Sequence, residues 1–195
     1  MASESAEAEP VRLALRKLWS DHVIWTREYI IAASSGPHGV TGASDADAAA
    51  ARLLRNQDDI GNAIVPYYGE EAGKKLTDLL NQHVMIAVEL LADAKGGDDA
   101  KFAKDDARWT ENAAEIARFL AGANPNWPEK DVTDLLALHL QLTKGEVVAR
   151  LNEDWNAAVK AFDDIFTEIM VLADALYDGL VAQFPDKFTR ASRPA

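Results

Sequence analysis

The chain contains no cysteine. That excludes a disulfide framework, thiolate catalysis and thiolate metal sites. Proline is scarce, 7 in 195 residues, and spares most of the long apolar-periodic stretches, so helix can run uninterrupted. Positive charge is in deficit: 20 Lys and Arg against 32 Asp and Glu leave a net charge of −12. Nucleic acids and anionic membrane surfaces repel such a chain on average, and no basic stripe with interleaved aromatics offsets that. No apolar run approaches the ~20 residues of a membrane span. Met1 to Glu9 is acidic and small, unlike the basic and apolar regions of a signal peptide. The expectation is a cytoplasmic protein with no nucleic-acid and no membrane partner. No alternating run bounded by turns argues for a strand. Phosphate-binding loops, the dinucleotide fingerprint, the nucleophile elbow and the H-E-x-x-H zinc motif are all missing, so nucleotide-dependent and hydrolase readings have no support.

What the chain does contain is helical pattern. Hydrophobic residues make up 48% and charged residues 27%, a globular balance, and the length suits one substantial core without requiring two domains. Val11, Leu15, Leu18, His22, Trp25 and Tyr29 recur at alternating spacings of four and three, one face of a helix from Pro10 to about Ala33. Ser34-Ser35-Gly36-Pro37-His38-Gly39 is turn chemistry, and His38 reads as exposed. Ser44 or Asp45 can cap a second helix, with Ala49, Leu53, Asn56, Ile60 and Ala63 on one face, which ends before Pro66. A third runs from about Glu70 to Lys95 and is broken by Gly96-Gly97. Asp98 caps a fourth, which ends near Gly122. Asn124-Pro125-Asn126-Trp127-Pro128 turns the chain into a fifth. Thr143 and Glu146 have the spacing of a capping box, which predicts a break and a short helix to about Arg150. The last helix spans roughly Glu153 to Gln183, and Pro185 ends it. The expected fold is all-α, an up-and-down bundle of six main helices in three repeated antiparallel hairpins. It occupies residues 10–185, with polar tails at 1–9 and 186–195.

Of the 4 His in the chain, three share one repeated context. Leu18-Trp19-Ser20-Asp21-His22-Val23-Ile24-Trp25-Thr26, Leu79-Leu80-Asn81-Gln82-His83-Val84-Met85-Ile86-Ala87 and Leu135-Leu136-Ala137-Leu138-His139-Leu140-Gln141-Leu142-Thr143 follow one pattern. In an antiparallel hairpin, residues equally far from the turn sit at one height. His22 lies eleven before Ala33 and Asn56 eleven after Asp45; His83 lies fourteen before Gly97 and Asn112 fifteen after it; His139 lies twelve before Leu151 and Asp163 twelve after it. Packed around a common axis, His22, His83 and His139 converge in a layer faced by Asn56, Asn112 and Asp163. Asp59 and Glu115 flank the layer or lie on the surface.

Two readings fit. Neutral imidazoles can bind a transition metal such as Zn, Fe, Cu or Ni, with Asn56, Asn112 and Asp163 orienting the rings or holding a small polar ligand. Alternatively the layer is a hydrogen-bonded network that fixes register. The leading expectation is a non-catalytic binding protein whose partner is a metal ion or small molecule. A purely structural or stress-related bundle stands second, and an enzyme using His139 and Asp163 as a general-base pair third. The dense E-x-x-H pairing of di-iron bundles is missing, and Asn is a poor ligand. Met85 and Met170 read as core filler rather than haem ligands. Trp19, Trp25, Trp109 and Trp155 read as core. Arg52 and Arg55 read as surface rather than an anion clamp. Tyr67 and Tyr68 line a pocket mouth or seal a bundle end. Gly61 and Gly73 mark close helix approach.

Leu18-Trp19-Ser20-Asp21-His22, Leu53-Leu54-Arg55-Asn56-Gln57, Pro66-Tyr67-Tyr68-Gly69, Asn124-Pro125-Asn126-Trp127-Pro128 and Gln183-Phe184-Pro185 carry a likeness over nearly the whole chain. It resembles an uncharacterised family of small bacterial all-helical proteins. Some members of that family carry labels such as glycosyltransferase or acetylglutamate kinase. The resemblance implies an all-helical single domain and brings no catalytic residues with it. Both labels imply nucleotide-binding α/β folds, and the chain has neither the strands nor the phosphate loops for them.

Overall fold

The computed structural model describes residues 8–35 and 43–188. Most of the expected N-terminal tail, His38 with its loop, and the last residues of the C-terminal tail lie outside that range. The elements are α1 (Ala8–Ser34), α2 (Ala43–Tyr68), α3 (Glu70–Gly96), α4 (Asp99–Ala123), α5 (Glu129–Leu151), α6 (Trp155–Gln183) and a single turn, α7 (Pro185–Phe188). No strand occurs among the described residues. Consecutive helices pack antiparallel, and α6 closes the ring against α1. The odd-numbered helices α1, α3 and α5 also touch one another along the axis. The fold is therefore an all-α up-and-down bundle of three hairpins, as the periodicity predicts. No described helix is long and apolar enough to cross a membrane.

Local chemistry sets the turns. Gly97 adopts φ 69°, and its N–H and that of Asp98 reach back to Ala94 and Asp93 carbonyls, closing α3 in a left-handed cap. Asp98 accepts the Lys101 N–H at 3.0 Å and starts α4. Asp154 does the same for α6 through the Ala157 N–H at 3.0 Å.

Three boundaries differ from expectation. Helix α2 continues through Pro66 to Tyr68. The Asn62 carbonyl that loses its donor there lies on an exposed residue, where water can serve it. The last turn is held by tertiary contacts instead: Tyr67 stacks on Phe188 with ring centroids 5.9 Å apart, and the Tyr68 hydroxyl donates to Gln183 Oε1 at 2.6 Å. Helix α5 does not break at Thr143. The Thr143 hydroxyl donates to the His139 carbonyl at 2.9 Å within the helix, and Glu146, rather than reaching back to a cap, takes Arg27 at 2.5 Å. Finally, Asp186 to Phe188 is not a loose tail: Phe188 is buried against Tyr67 and Tyr177.

The core runs from Leu15, Trp127 and Leu180 at one end through Ile116, Ile169 and Leu172 to Ile165, Trp109 and Leu90 toward the other. Close approach is concentrated toward the end where α2 turns into α3. A Cβ on Gly61 would run into Thr77 and the Gly73 carbonyl, and one on Gly73 into Val65. These glycines let the two helices touch backbone to backbone. Of the tryptophans expected in the core, Trp19 and Trp109 are buried, Trp25 is partly so, and Trp155 is exposed.

Candidate functional site

His22, His83 and His139 sit on the axial faces of α1, α3 and α5 and are each at most 5% exposed. Their rings meet. The His22 and His139 centroids are 5.7 Å apart and those of His83 and His139 6.5 Å apart. Tryptophans back the layer, with Trp109 5.0 Å from His83 and Trp19 edge-on to His22 at 5.7 Å.

Each ring is held by its Nδ1 atom. His83 Nδ1 lies 2.9 Å from Asn112 Oδ1, while the Asn112 amide donates to the Leu79 carbonyl at 3.1 Å. Because the amide nitrogen is spent on Leu79, its oxygen must accept, so His83 Nδ1 carries the proton. His139 Nδ1 lies 3.0 Å from Glu168 Oε2, again an acceptor, so this Nδ1 also donates. His22 differs. Its Nδ1 faces Gln57 Nε2 at 3.3 Å, and the same amide nitrogen donates to the Leu53 carbonyl at 2.8 Å. The amide's other hydrogen is shared between His22 Nδ1 and Asn56 Oδ1, the latter at 3.2 Å, which makes His22 the acceptor there and puts its proton on Nε2. None of the three Nε2 atoms has a hydrogen-bond partner among the described residues.

Burial keeps His22 and His83 neutral. It holds His22 well below the ordinary imidazole value, with repulsion from His139 and His83 adding to the effect. Burial and then His139 push His83 down to about 3. The hydrogen bonds to Gln57 and Asn112 oppose these shifts but do not reverse them.

The layer closes the inner end of an apolar cavity. The cavity extends toward the end where α3 turns into α4, between Ile30 of α1, Leu53 of α2, Leu91 of α3, Phe102 of α4 and Val148 of α5. Space open to the centre of a water molecule amounts to about 60 Å³. The residue four after each His lines it: Thr26, Ala87 and Thr143. Both Thr hydroxyls donate to the carbonyl of their own His, at 2.7 and 2.9 Å, so toward the cavity they offer only lone pairs. Lys144, at the cavity wall, is paired with Asp106 at 2.8 Å.

The expected partners need two corrections. Asn56 is fully buried but does not touch His22; its amide donates to the Leu18 carbonyl at 3.0 Å and its oxygen accepts from Gln57. It thus repeats Asn112's grip on the carbonyl four before a His, and Gln57 takes over the ring. Asp163 is exposed, and Glu168 stands in its place. The general-base pair of His139 with Asp163 therefore does not form. The height count took Leu151 as the fold-back point and ignored the turn at Asn152 to Asp154. Five residues along a helix also rotate a side chain to another face. One signal pointed the right way. Asn112 follows His83 by 29 residues, and the same step from His139 reaches Glu168. Asp59 and Glu115 are exposed, as is Arg55, while Arg52 bonds Asp21.

Among the described residues no group of three or more His, Asp or Glu side chains is placed to hold one metal ion. Compared with profiles of known families, with curated proteins and with solved structures, the chain matches none.

Proposed function

We propose that this is a non-catalytic binding protein whose guest sits against the three-His layer at the floor of the apolar cavity. The observation that carries the reading is that every Nδ1 is anchored by a side chain while every Nε2 is left without a protein partner. Three ring nitrogens without a protein partner at residues that line one cavity favour a guest that supplies the missing bonds. A layer serving only to fix register would spend its nitrogens on the protein.

A metal ion is the second reading. What favours it is Glu168 on His139 Nδ1, since a carboxylate on the far nitrogen is a common way to hold a metal-bound imidazole. Ligation by all three Nε2 atoms requires His22 to move its proton to Nδ1. That would set an N–H against the Gln57 amide, and turning the amide over would set its oxygen against the Leu53 carbonyl. A small organic guest needs neither change.

The test is a comparison of the parent with the His22, His83, His139 triple Ala variant. Metal content is read by plasma mass spectrometry after exposure to Zn, Fe, Cu and Ni salts, and retained organic guests by native mass spectrometry. A guest or metal present in the parent and lost in the variant supports binding at the layer. Identical occupancy in both defeats it.

A further inference from the structure

Resting on that binding site, we infer the class of its ligand: an uncharged, slender aliphatic molecule with a terminal hydroxyl held at the His layer.

The shape of the cavity sets the tail. From the layer it follows α1 from His22 to Ile30, α3 from His83 to Ala94 and α5 from His139 to Val148. Eight to eleven residues of helix rise about 12–16 Å. Spreading about 60 Å³ of water-centre space over that length leaves a bore about 5 Å across. A linear chain fits such a bore, and a fused-ring molecule does not. Its walls, including Leu53, Leu91 and Phe102, offer an alkyl chain mostly apolar surface.

The tautomers set the head. His22 presents an N–H at Nε2, whereas His83 and His139 present bare lone pairs. A head that both donates and accepts from one atom answers this set, and a hydroxyl does so. An ether only accepts. An ammonium only donates, so it sets its N–H groups against the His22 N–H and leaves that donor without an acceptor. A carboxylate meets one donor and two lone pairs, and the cations near the cavity are committed elsewhere: Lys144 to Asp106 and Arg27 to Glu146. An unpaired buried charge is far more costly than a neutral group.

The probes are 1-octanol, octyl methyl ether, octanoate and octylammonium, titrated into the full chain at pH 7.5 by calorimetry. The expected order places octanol first, about tenfold tighter than the ether, the effect of one well-made hydrogen bond. His22→Leu removes the donor that both heads accept from and is expected to weaken octanol and ether alike, whereas His83→Leu combined with His139→Leu removes the lone pairs that only a hydroxyl can use and is expected to erase the preference. Ala87→Leu fills the bore above His83 and is expected to abolish binding of all four while the variant stays folded by circular dichroism. Tightest binding by octanoate or octylammonium overturns the ligand class and leaves the binding site standing. Equal binding of octanol and ether overturns the reading of the head. Binding that survives Ala87→Leu, or no binding by any probe, places no such ligand at the layer and overturns the inference. Only the comparison with the triple Ala variant described above bears on the site itself.

Discussion

The two ends of the bundle are built from the same helices and differ in kind. At the end holding the C-termini of α2, α4 and α6, glycines draw helices together and aromatic rings close the gap. A Cβ on Gly179 would run into the Trp127 indole, whose N–H donates to the Leu176 carbonyl at 3.2 Å. Tyr68, Asn124 and Gln183 bond one another and nearby carbonyls, so the polar atoms are consumed by the protein. At the other end the residue that follows each layer His by one turn is Thr26, Ala87 or Thr143, and the space above is a cavity. The comparison teaches that the bundle can pack more tightly: about 20 Å³ is open to the centre of a water molecule between Leu15, Ile64, Leu120 and Leu176, against about 60 Å³ above the layer. The cavity is thus a property of particular side chains, and the polar atoms facing it are left for something else.

Substitutions can break that contrast. The largest effect belongs to the tighter end: Trp127→Ala is expected to cost about 3–5 kcal/mol in urea unfolding, because a large ring is lost where glycine contact lets nothing collapse into the gap. Acid attacks the other end. His83 is neutral in the folded chain down to about 3, whereas in the unfolded chain it protonates near 6.5. The unfolded state therefore binds more protons below pH 6.5, and stability falls as pH drops through the window from 6.5 toward 3. At about 1.4 kcal/mol per unit, His83 alone removes about 2 kcal/mol by pH 5. His22 acts in the same direction. Glu146, whose carboxyl is raised by burial against the pull of Arg27, acts in the opposite one. His83→Gln is expected to flatten the measured slope, and an unchanged slope would show that the ring is not buried neutral.

Smaller effects sharpen the comparison. Asn112→Leu strips partners from His83 Nδ1 and the Leu79 carbonyl and is expected to cost about 1–3 kcal/mol by chemical denaturation. Ala87→Leu, by contrast, adds apolar volume to the larger void and is expected to raise stability by about 0.5–2 kcal/mol. The smallest shift separates the real partner of His139 from the expected one. Asp163→Ala is expected to stay within about 0.5 kcal/mol of the parent, whereas Glu168→Ala exposes the loss of a buried hydrogen bond.

Periodicity made the helices legible, and the repeat around His22, His83 and His139 made the layer legible, because a buried His at the same point of three helices is written in residue spacing alone. His83 with Asn112 was readable for the same reason. Gln57 was not, since it adjoins Asn56 and only the rotation of α2 decides which of the two meets the ring. Glu168 escaped because counting heights across a turn accumulates error, whereas the step of 29 residues shared by His83 and His139 does not depend on where the turn is placed. The break predicted at Thr143 failed because a hydroxyl that caps one helix can as readily bond back into another.

By itself the sequence determined the class of fold and the presence of a polar layer: both follow from helical spacing, which is local. It also excluded cysteine chemistry outright. Only the tertiary structure decided the tautomer of each ring, the cavity above them and the continuation of α2 through Pro66. Those depend on which atoms from distant segments come to face one another, and on where side chains fail to fill the space between helices.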